Sequence, residues 1–408
     1  MKTILFLVVM ALVSVSAAAQ NLVSSSKNVT MTAAQLNKRI QTVYGSSGPE
    51  RATRALDLHK ISYRSTDEKG RSVVLTGLVV LPKGGAPNGM VVFNHGTIAD
   101  PRKAPSQYRG TADGTEPESA ILAFASGGYA IVMPDYLGLG DHKAAHPYPL
   151  NVVNSRSGFD MIKPARTLMS NLNAQVGQRL FITGYSEGGG IAMALVRELQ
   201  QSSDPQHQVF SSAPASGPYD LSGATRQYML AQPTDQAGFV IRLYLMSYNA
   251  YYFHKEYGLK LTDYFKPAMA LTVSTAYPAN LTDENLIKRL AVAAVLMRSK
   301  NSVFNVITPR FKRAMETLDS SDPIVRELIK NDVYDWSPRT PMLLINLQGD
   351  TIVDPANTEK AFRTMRSRGV QADTLRRHII KNNKLTHLTA VPEAMLQARR
   401  FFDGGFAK

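Results

Sequence analysis

The sequence has no cysteine and a single tryptophan in 408 residues. Without cysteine there can be no disulfide, no thiolate metal site and no cysteine nucleophile. Long hydrophobic runs are missing as well. After the first twenty residues none approaches the roughly 20 apolar residues that a helix needs to cross a bilayer. Acidic residues are comparatively few, 32 Asp+Glu against 46 Lys+Arg, for a formal net charge of +14. That surplus favours transient attraction to anionic surfaces but carries no information about fold. It comes with no nucleic-acid motif and no alternation of basic and aromatic residues, so nucleic acid is not an expected partner. With 19% charged and 44% apolar residues the chain can build a core, which excludes general disorder. Its length suits two or three average domains, or one large domain with an insertion.

Residues 1–20 read MKTILFLVVMALVSVSAAAQ. Lys2 precedes an apolar run from Ile4 to Val15, and Ala17, Ala18 and Ala19 follow. A basic start, about a dozen apolar residues and an A-x-A end predict a secretory signal peptide over residues 1–19. The run is too short for a membrane anchor, and no cysteine is present to carry a lipid. The expected product is a soluble exported protein, secreted or periplasmic and bacterial, beginning near Gln20. The Asn28-Val29-Thr30 and Asn280-Leu281-Thr282 sequons are then read as chance.

Residues 21–51 are polar, with weak helical spacing after Thr32. Two β-branched runs, 58–65 and 72–81, flank a turn at Asp67-Glu68-Lys69-Gly70 and predict antiparallel strands. Short apolar runs follow at 90–93, 129–133, 180–183 and 209–212. Helical patterns lie among them at 118–125, 160–172 and 189–199. This alternation predicts an α/β fold with a mostly parallel central sheet and helices on both faces. The rhythm stops after Leu221. Residues 222–336 read as helical, at 239–248, 285–297 and 303–315, with no strong strand pattern. Strand grammar resumes at 342–347 and 375–381, and an amphipathic helix at 390–401 closes the chain. The organisation is therefore one sheet domain, residues 20–221 and 337–408, interrupted by an insertion.

One motif carries chemistry. Gly184-Tyr185-Ser186-Glu187-Gly188 follows a strand and opens a helix, the setting in which G-x-S-x-G presents a serine on a sharp turn. Without that context the pattern would be a glycine-rich turn and nothing more. Ser186 is the candidate nucleophile, and the Glu187 amide at the helix start is a candidate oxyanion donor. A serine hydroxyl needs a base. His387 lies in a polar loop after the last strand, where the chain returns to the carboxyl edge of the sheet. His378 is its rival, but sits within a strand pattern. The base in turn needs a carboxylate. Asp350 exits a strongly apolar strand and Asp354 follows one turn later, although either could simply cap a turn. The loop after strand 90–93 reads Asn94-His95-Gly96-Thr97. Gly96 lets the chain bend close to the site, so the Thr97 amide is the second oxyanion candidate, and His95 is read as a structural loop histidine.

These residues resemble the α/β-hydrolase family, in which Ser186, Asp350 and His387 stand in the chain order nucleophile, acid, base. The likeness runs from about residue 58 to 402 and is greatest to secreted microbial lipases and esterases, the secretory-lipase type. Pro134-Asp135-Tyr136-Leu137-Gly138-Leu139-Gly140-Asp141, His146-Pro147-Tyr148 and the run from Ala213 to Leu221 look like segments of that branch. The Asp350-to-Val353 spacing resembles the family's acid motif, although Gly349 directly precedes Asp350 where the family often has two residues between them. The resemblance implies a helical cap for residues 222–336. The aromatic stretch from Tyr244 to Phe253 in that cap reads as core before it reads as substrate wall.

The leading expectation is a secreted serine carboxylic-ester hydrolase needing no cofactor and no metal, acting on a small-molecule, lipid or polysaccharide ester, feruloyl and acetyl esters included. A serine peptidase of the same fold is the alternative, though no propeller repeat is present. A non-enzymatic binder held to anionic polymers by its charge is the third reading. Six basic residues near the carboxyl end, Arg376, Arg377, Lys381, Lys384, Arg399 and Arg400, read as a solvated face.

Overall fold

The computed structural model describes residues 21–110, 116–233 and 235–407. The segment read as a signal peptide lies outside the described residues. Among them, no helix is long and apolar enough to cross a membrane.

The chain opens with β1 (Leu22–Met31) and α1 (Ala33–Tyr44), then the long hairpin β2 (Leu56–Thr66) and β3 (Ser72–Pro82). β1 was not legible in the sequence. It is an edge strand whose serines and Lys27 face solvent, so it lacks an alternating apolar pattern. Thr32 starts α1 with a capping box, its side chain taking the Gln35 amide while Gln35 reaches back to the Thr32 amide. β4 (Met90–Asn94), α2 (Glu116–Ala120), β5 (Ala130–Pro134), α3 (Asn151–Asn171), β6 (Leu180–Tyr185), α4 (Glu187–Leu199) and β7 (Val209–Ala215) follow. After the helical insertion come β8 (Met342–Leu347), α11 (Ala356–Ser367), β9 (Leu375–Ile380) and α12 (Val391–Gly404).

The strands form one nine-stranded sheet in the order β1-β2-β3-β5-β4-β6-β7-β8-β9. β1, β2 and β3 pair antiparallel with each other, and β3 pairs antiparallel with β5, whereas β5 through β9 pair in parallel. Both faces are covered, which explains the near-continuous apolar strands. On β4, Val91 and Phe93 pack into the layer holding α1, α2 and α12, while Met90 and Val92 pack into the layer holding α3, α4 and α11. From β4 the chain moves outward to β5, then crosses back to β6 on the other side. A reversal of strand order opens a crevice beyond the carboxyl ends of the flanking strands, and here those are β4 and β6.

Two helices depart from the expected boundaries. α3 begins at Asn151, nine residues earlier than its apolar spacing indicates, because its first turns bury polar side chains. Asn151 Nδ2 donates to the Pro218 carbonyl at 3.0 Å and Asn154 Nδ2 to that of Pro147 at 3.1 Å, which replaces apolar patterning with hydrogen bonds. α2 ends at Ala120 and continues as a wider, π-type turn over Ile121–Ala125.

Between β7 and β8 the insertion contains α5 (Arg226–Leu230), α6 (Gln236–Tyr257), α7 (Pro267–Ala276), α8 (Asp283–Leu296), α9 (Pro309–Thr317) and α10 (Pro323–Lys330). These helices share an apolar core of their own, with Leu243, Phe253, Phe265, Leu290 and Val325 among its most buried members. The segment 303–315 is not one helix. A short 3-10 turn at Val303–Asn305 leads to a bridge between Ile307 and Phe265, and α9 starts only at Pro309, whose fixed φ and missing amide hydrogen suit a first helical turn.

Candidate functional site

β6 is fully buried and delivers Ser186 directly onto α4. Ser186 has φ 59° and ψ −128°, a conformation that costs a non-glycine residue about 1–3 kcal/mol and persists only where its surroundings hold it. Its amide donates to the Ala215 carbonyl on β7 at 3.1 Å. The glycines of the motif are explained by close approach. A Cβ on Gly188 would lie 1.9 Å from the Asn94 carbonyl oxygen, and one on Gly184 would lie 2.2 Å from that of Gly188. Strand end, turn and helix therefore touch backbone to backbone.

His387 arrives from the loop between β9 and α12. Its Nδ1–H donates to Asp350 Oδ2 at 2.6 Å, and the Ser186 hydroxyl donates to its Nε2 at 2.8 Å. The Tyr185 hydroxyl donates to the His387 carbonyl at 2.7 Å, tying the loop to the end of β6. Asp350 also behaves as a turn cap, since its Oδ1 accepts the Ile352 and Val353 amides, each at 2.9 Å. The two readings of Asp350 coexist, one on each oxygen. Asp354 instead accepts the Ala356 amide at 2.8 Å at the start of α11. His378 stands on β9 in register with Ile345, and burial lowers its pKa.

Thr97 and Glu187 line the same cavity as Ser186 and His387, a space of about 380 Å³. Its far wall comes from the insertion, including Met229, Ile241, Leu245 and Ile287. The aromatic stretch of α6 divides. Tyr248, Tyr252 and Phe253 are core, whereas Tyr244 also borders the cavity. The start of α8 is fastened to the loop that carries Thr97. Asp283 Oδ1 accepts the Ala99 amide at 2.7 Å and the Asp100 amide at 3.1 Å, with Lys103 Nζ 3.3 Å from Oδ2.

Two side chains around the site, Glu116 and the inward-turned Glu187, leave no signal in the sequence, whereas His95 stands where a structural loop histidine is expected. The Glu187 side chain turns inward, with Oε1 2.8 Å from His146 Nε2, and neither side chain is more than 1% exposed. His146 Nδ1–H donates to the Leu137 carbonyl at 2.9 Å. His95 is buried and stacks on Tyr136 at 4.1 Å between ring centres; burial lowers its pKa to about 4. Glu116 accepts the Gly96 amide on Oε1 at 2.7 Å, and burial pushes its carboxyl up to about 8. The solvated-face reading of the basic residues near the carboxyl end fails for Arg399, which is buried and pairs with Asp403 at 2.7 Å while donating to the Ala123 carbonyl at 2.8 Å; Arg377 pairs with Glu359, and Arg376 stacks on Phe406.

A mostly parallel, doubly covered sheet with a serine at the strand–helix turn and a helical block between β7 and β8 defines an α/β-hydrolase fold. Solved structures agree on that fold. LipA, a rice cell wall degrading esterase from Xanthomonas oryzae, superimposes with a TM-score of 0.78 at 22% identity, covering 93% of this chain and 97% of its own. A Legionella pneumophila protein designated a hydrolase gives 0.77 at 24% identity, covering 95% and 99%. Candida antarctica lipase A in its closed state gives 0.64 at 12% identity, covering 95% and 83%. Among curated proteins none matches the chain. The model of the secretory lipase family matches residues 104–406, and the chain belongs to that family. It is accordingly an ester hydrolase of the lipase/esterase type.

Proposed function

We propose that the chain is an exported serine carboxylic-ester hydrolase that works through Ser186, His387 and Asp350. The observation that carries this reading is the continuous chain of contacts from Asp350 to His387 to Ser186, 2.6 and 2.8 Å long, at the floor of the cavity. Asp350 accepts the Nδ1 proton, so Nε2 keeps a free lone pair for the serine proton. As Ser186 Oγ bonds to the ester carbonyl carbon, its proton passes to His387 Nε2 and the carbonyl π electrons move onto oxygen. The amides of Thr97 and Glu187 receive that oxyanion, the second of them at the positive end of α4. Collapse breaks the ester C–O bond, and His387 returns its proton to the departing alcohol. Water then repeats the sequence on the acyl-enzyme and releases the acid.

Residues 222–336 act as a cap whose apolar side chains receive the acyl group. A cavity of about 380 Å³ lies at the small end of the roughly 300–1,000 Å³ typical of ligand sites. It suits a short or medium acyl chain with the alcohol portion reaching outward. Export rests on the basic–apolar–small pattern of residues 1–19 together with the secretory character of the family. The test is hydrolysis of p-nitrophenyl butyrate by the wild type and by Ser186→Ala. The variant is expected to fall to background; wild-type turnover by Ser186→Ala would reject the proposal.

A further inference from the structure

Glu116 has no part in the reaction as written above, yet it borders the same cavity. Its Oε1 accepts the Gly96 amide, one residue before Thr97, at 2.7 Å. Its Oε2 accepts no hydrogen bond from a described residue. Gly96 shows where that oxygen points. A Cβ built on Gly96 would sit 2.6 Å from Glu116 Oε2 and 3.2 Å from Ser186 Cβ. Oε2 and Ser186 Cβ are therefore no farther apart than those two lengths laid end to end, about 5.8 Å. A carbonyl oxygen on a carbon bonded to Ser186 Oγ is therefore within reach of Oε2. Glycine at 96 leaves it open.

Resting on the serine reading, we propose that Glu116 is a working part of the oxyanion site, holding the Gly96 amide with one carboxyl oxygen and presenting the other, as a hydroxyl, to the carbonyl oxygen of the ester at Ser186. A carboxyl kept protonated by its surroundings can donate to a developing oxyanion, whereas the same group ionised would repel it. The surroundings favour the protonated form. Burial acts most strongly, the Gly96 amide opposes it, and the Glu187 carboxyl on α4 adds to it, for a value of about 8. The other titratable groups facing this space are His95 and Lys103 on the loop after β4, Tyr148 before α3, Tyr185 on β6, Tyr228 and Tyr244 of the insertion, Asp354 before α11, and His387. Tyr136, from the loop after β5, feels the Glu116 charge, and Asp283 with its Lys103 partner stands across the cavity. The bidentate pairing of Arg39 with Glu118, at 2.7 and 2.8 Å, places that neighbouring helix charge on Arg39.

The test compares the pH dependence of kcat for wild type and Glu116→Gln on p-nitrophenyl butyrate from about pH 6 to 10. The amide of glutamine keeps an acceptor for Gly96 and a donor for the oxyanion but cannot ionise. Wild-type kcat is expected to fall up to tenfold per pH unit above the titration of Glu116. Glu116→Gln should lack that limb, with a plateau within about tenfold of the wild type, less than the 10²–10³ lost with a whole donor. An unchanged limb and midpoint in Glu116→Gln overturns the proposal, as does a wild-type rate flat to pH 10. Stability supplies a second readout. A folded carboxyl held near 8 against an ordinary 4.5 makes the native state lose stability as pH rises across that window. Glu116→Gln should therefore melt higher than the wild type at pH 8, with the gap closing toward pH 5. A pH-independent difference contradicts a protonated Glu116. If Ser186→Ala retains full rate, the serine reading fails and this inference falls with it; if Ser186→Ala is inactive while the alkaline limb survives in Glu116→Gln, only the role of Glu116 is lost.

Discussion

Replacing Asp350 by asparagine separates its two jobs. Oδ1 accepts the Ile352 and Val353 amides, and Oδ2 accepts the His387 Nδ1 proton. In Asp350→Asn the side-chain carbonyl keeps the two backbone donors, because turning the amide round would forfeit both bonds, each worth a net ~0.5–1.5 kcal/mol. The NH2 group then faces His387 Nδ1 and donates to it. The ring must carry its proton on Nε2, where it cannot accept one from Ser186. A triad serine held with the wrong histidine tautomer loses about 10⁴ in kcat, or about 5.4 kcal/mol at 1.36 kcal/mol per decade. Stability should change little, since the turn keeps its cap. The assay is kcat on p-nitrophenyl butyrate beside a thermal melt. A folded Asp350→Asn retaining more than about a tenth of wild-type kcat would mean that Asp350 does not set the His387 tautomer. Asp350→Ala should differ by losing the turn cap as well, lowering stability by about 1–3 kcal/mol.

Gly188→Ala places a methyl 1.9 Å from the Asn94 carbonyl oxygen, which is backbone and cannot swing away; denaturant melts should show a loss at or above the usual ~1–3 kcal/mol of overpacking. Ile287→Trp fills the part of the cavity wall supplied by α8, so kcat/KM on p-nitrophenyl octanoate should fall about tenfold or more relative to the acetate, and an unchanged ratio would place the acyl chain elsewhere. His95 is held neutral down to about 4 against an ordinary 6.5, so its depressed value makes the native state lose about 3 kcal/mol as pH falls from 6.5 to 4. His95→Phe keeps a ring against Tyr136 but has no such titration; urea melts should show the wild type losing stability relative to the variant across that window, and parallel pH profiles would contradict it.

The parts of the molecule legible in the sequence are those specified locally. The strand into Ser186, the glycines around it and the helix after it occupy the consecutive stretch Leu180–Leu199, and their constraint is backbone contact within that segment and against Asn94. The approach of His387 followed from its place after the last parallel strand. β1 left no signal because an edge strand exposed along its middle need not alternate. α7, α9 and α10 did leave one, a proline in the first helical turn at Pro267, Pro309 and Pro323, which apolar spacing alone does not register. Glu116 could not be read at all. It opens the short helix α2, and its relation to Ser186 exists only because Gly96 brings the loop after β4 between them. The inward turn of Glu187 likewise depends on His146, 41 positions away in sequence.

A nucleophilic Ser186 carries a covalent signature. A fluorophosphonate should react with the folded wild type to one label per chain, and peptide mass spectrometry should place that label on Ser186. Denaturation beforehand should abolish the reaction, as should Ser186→Ala, while Asp350→Asn should slow it steeply. Label on another residue, or equal labelling of Ser186→Ala, would contradict the account.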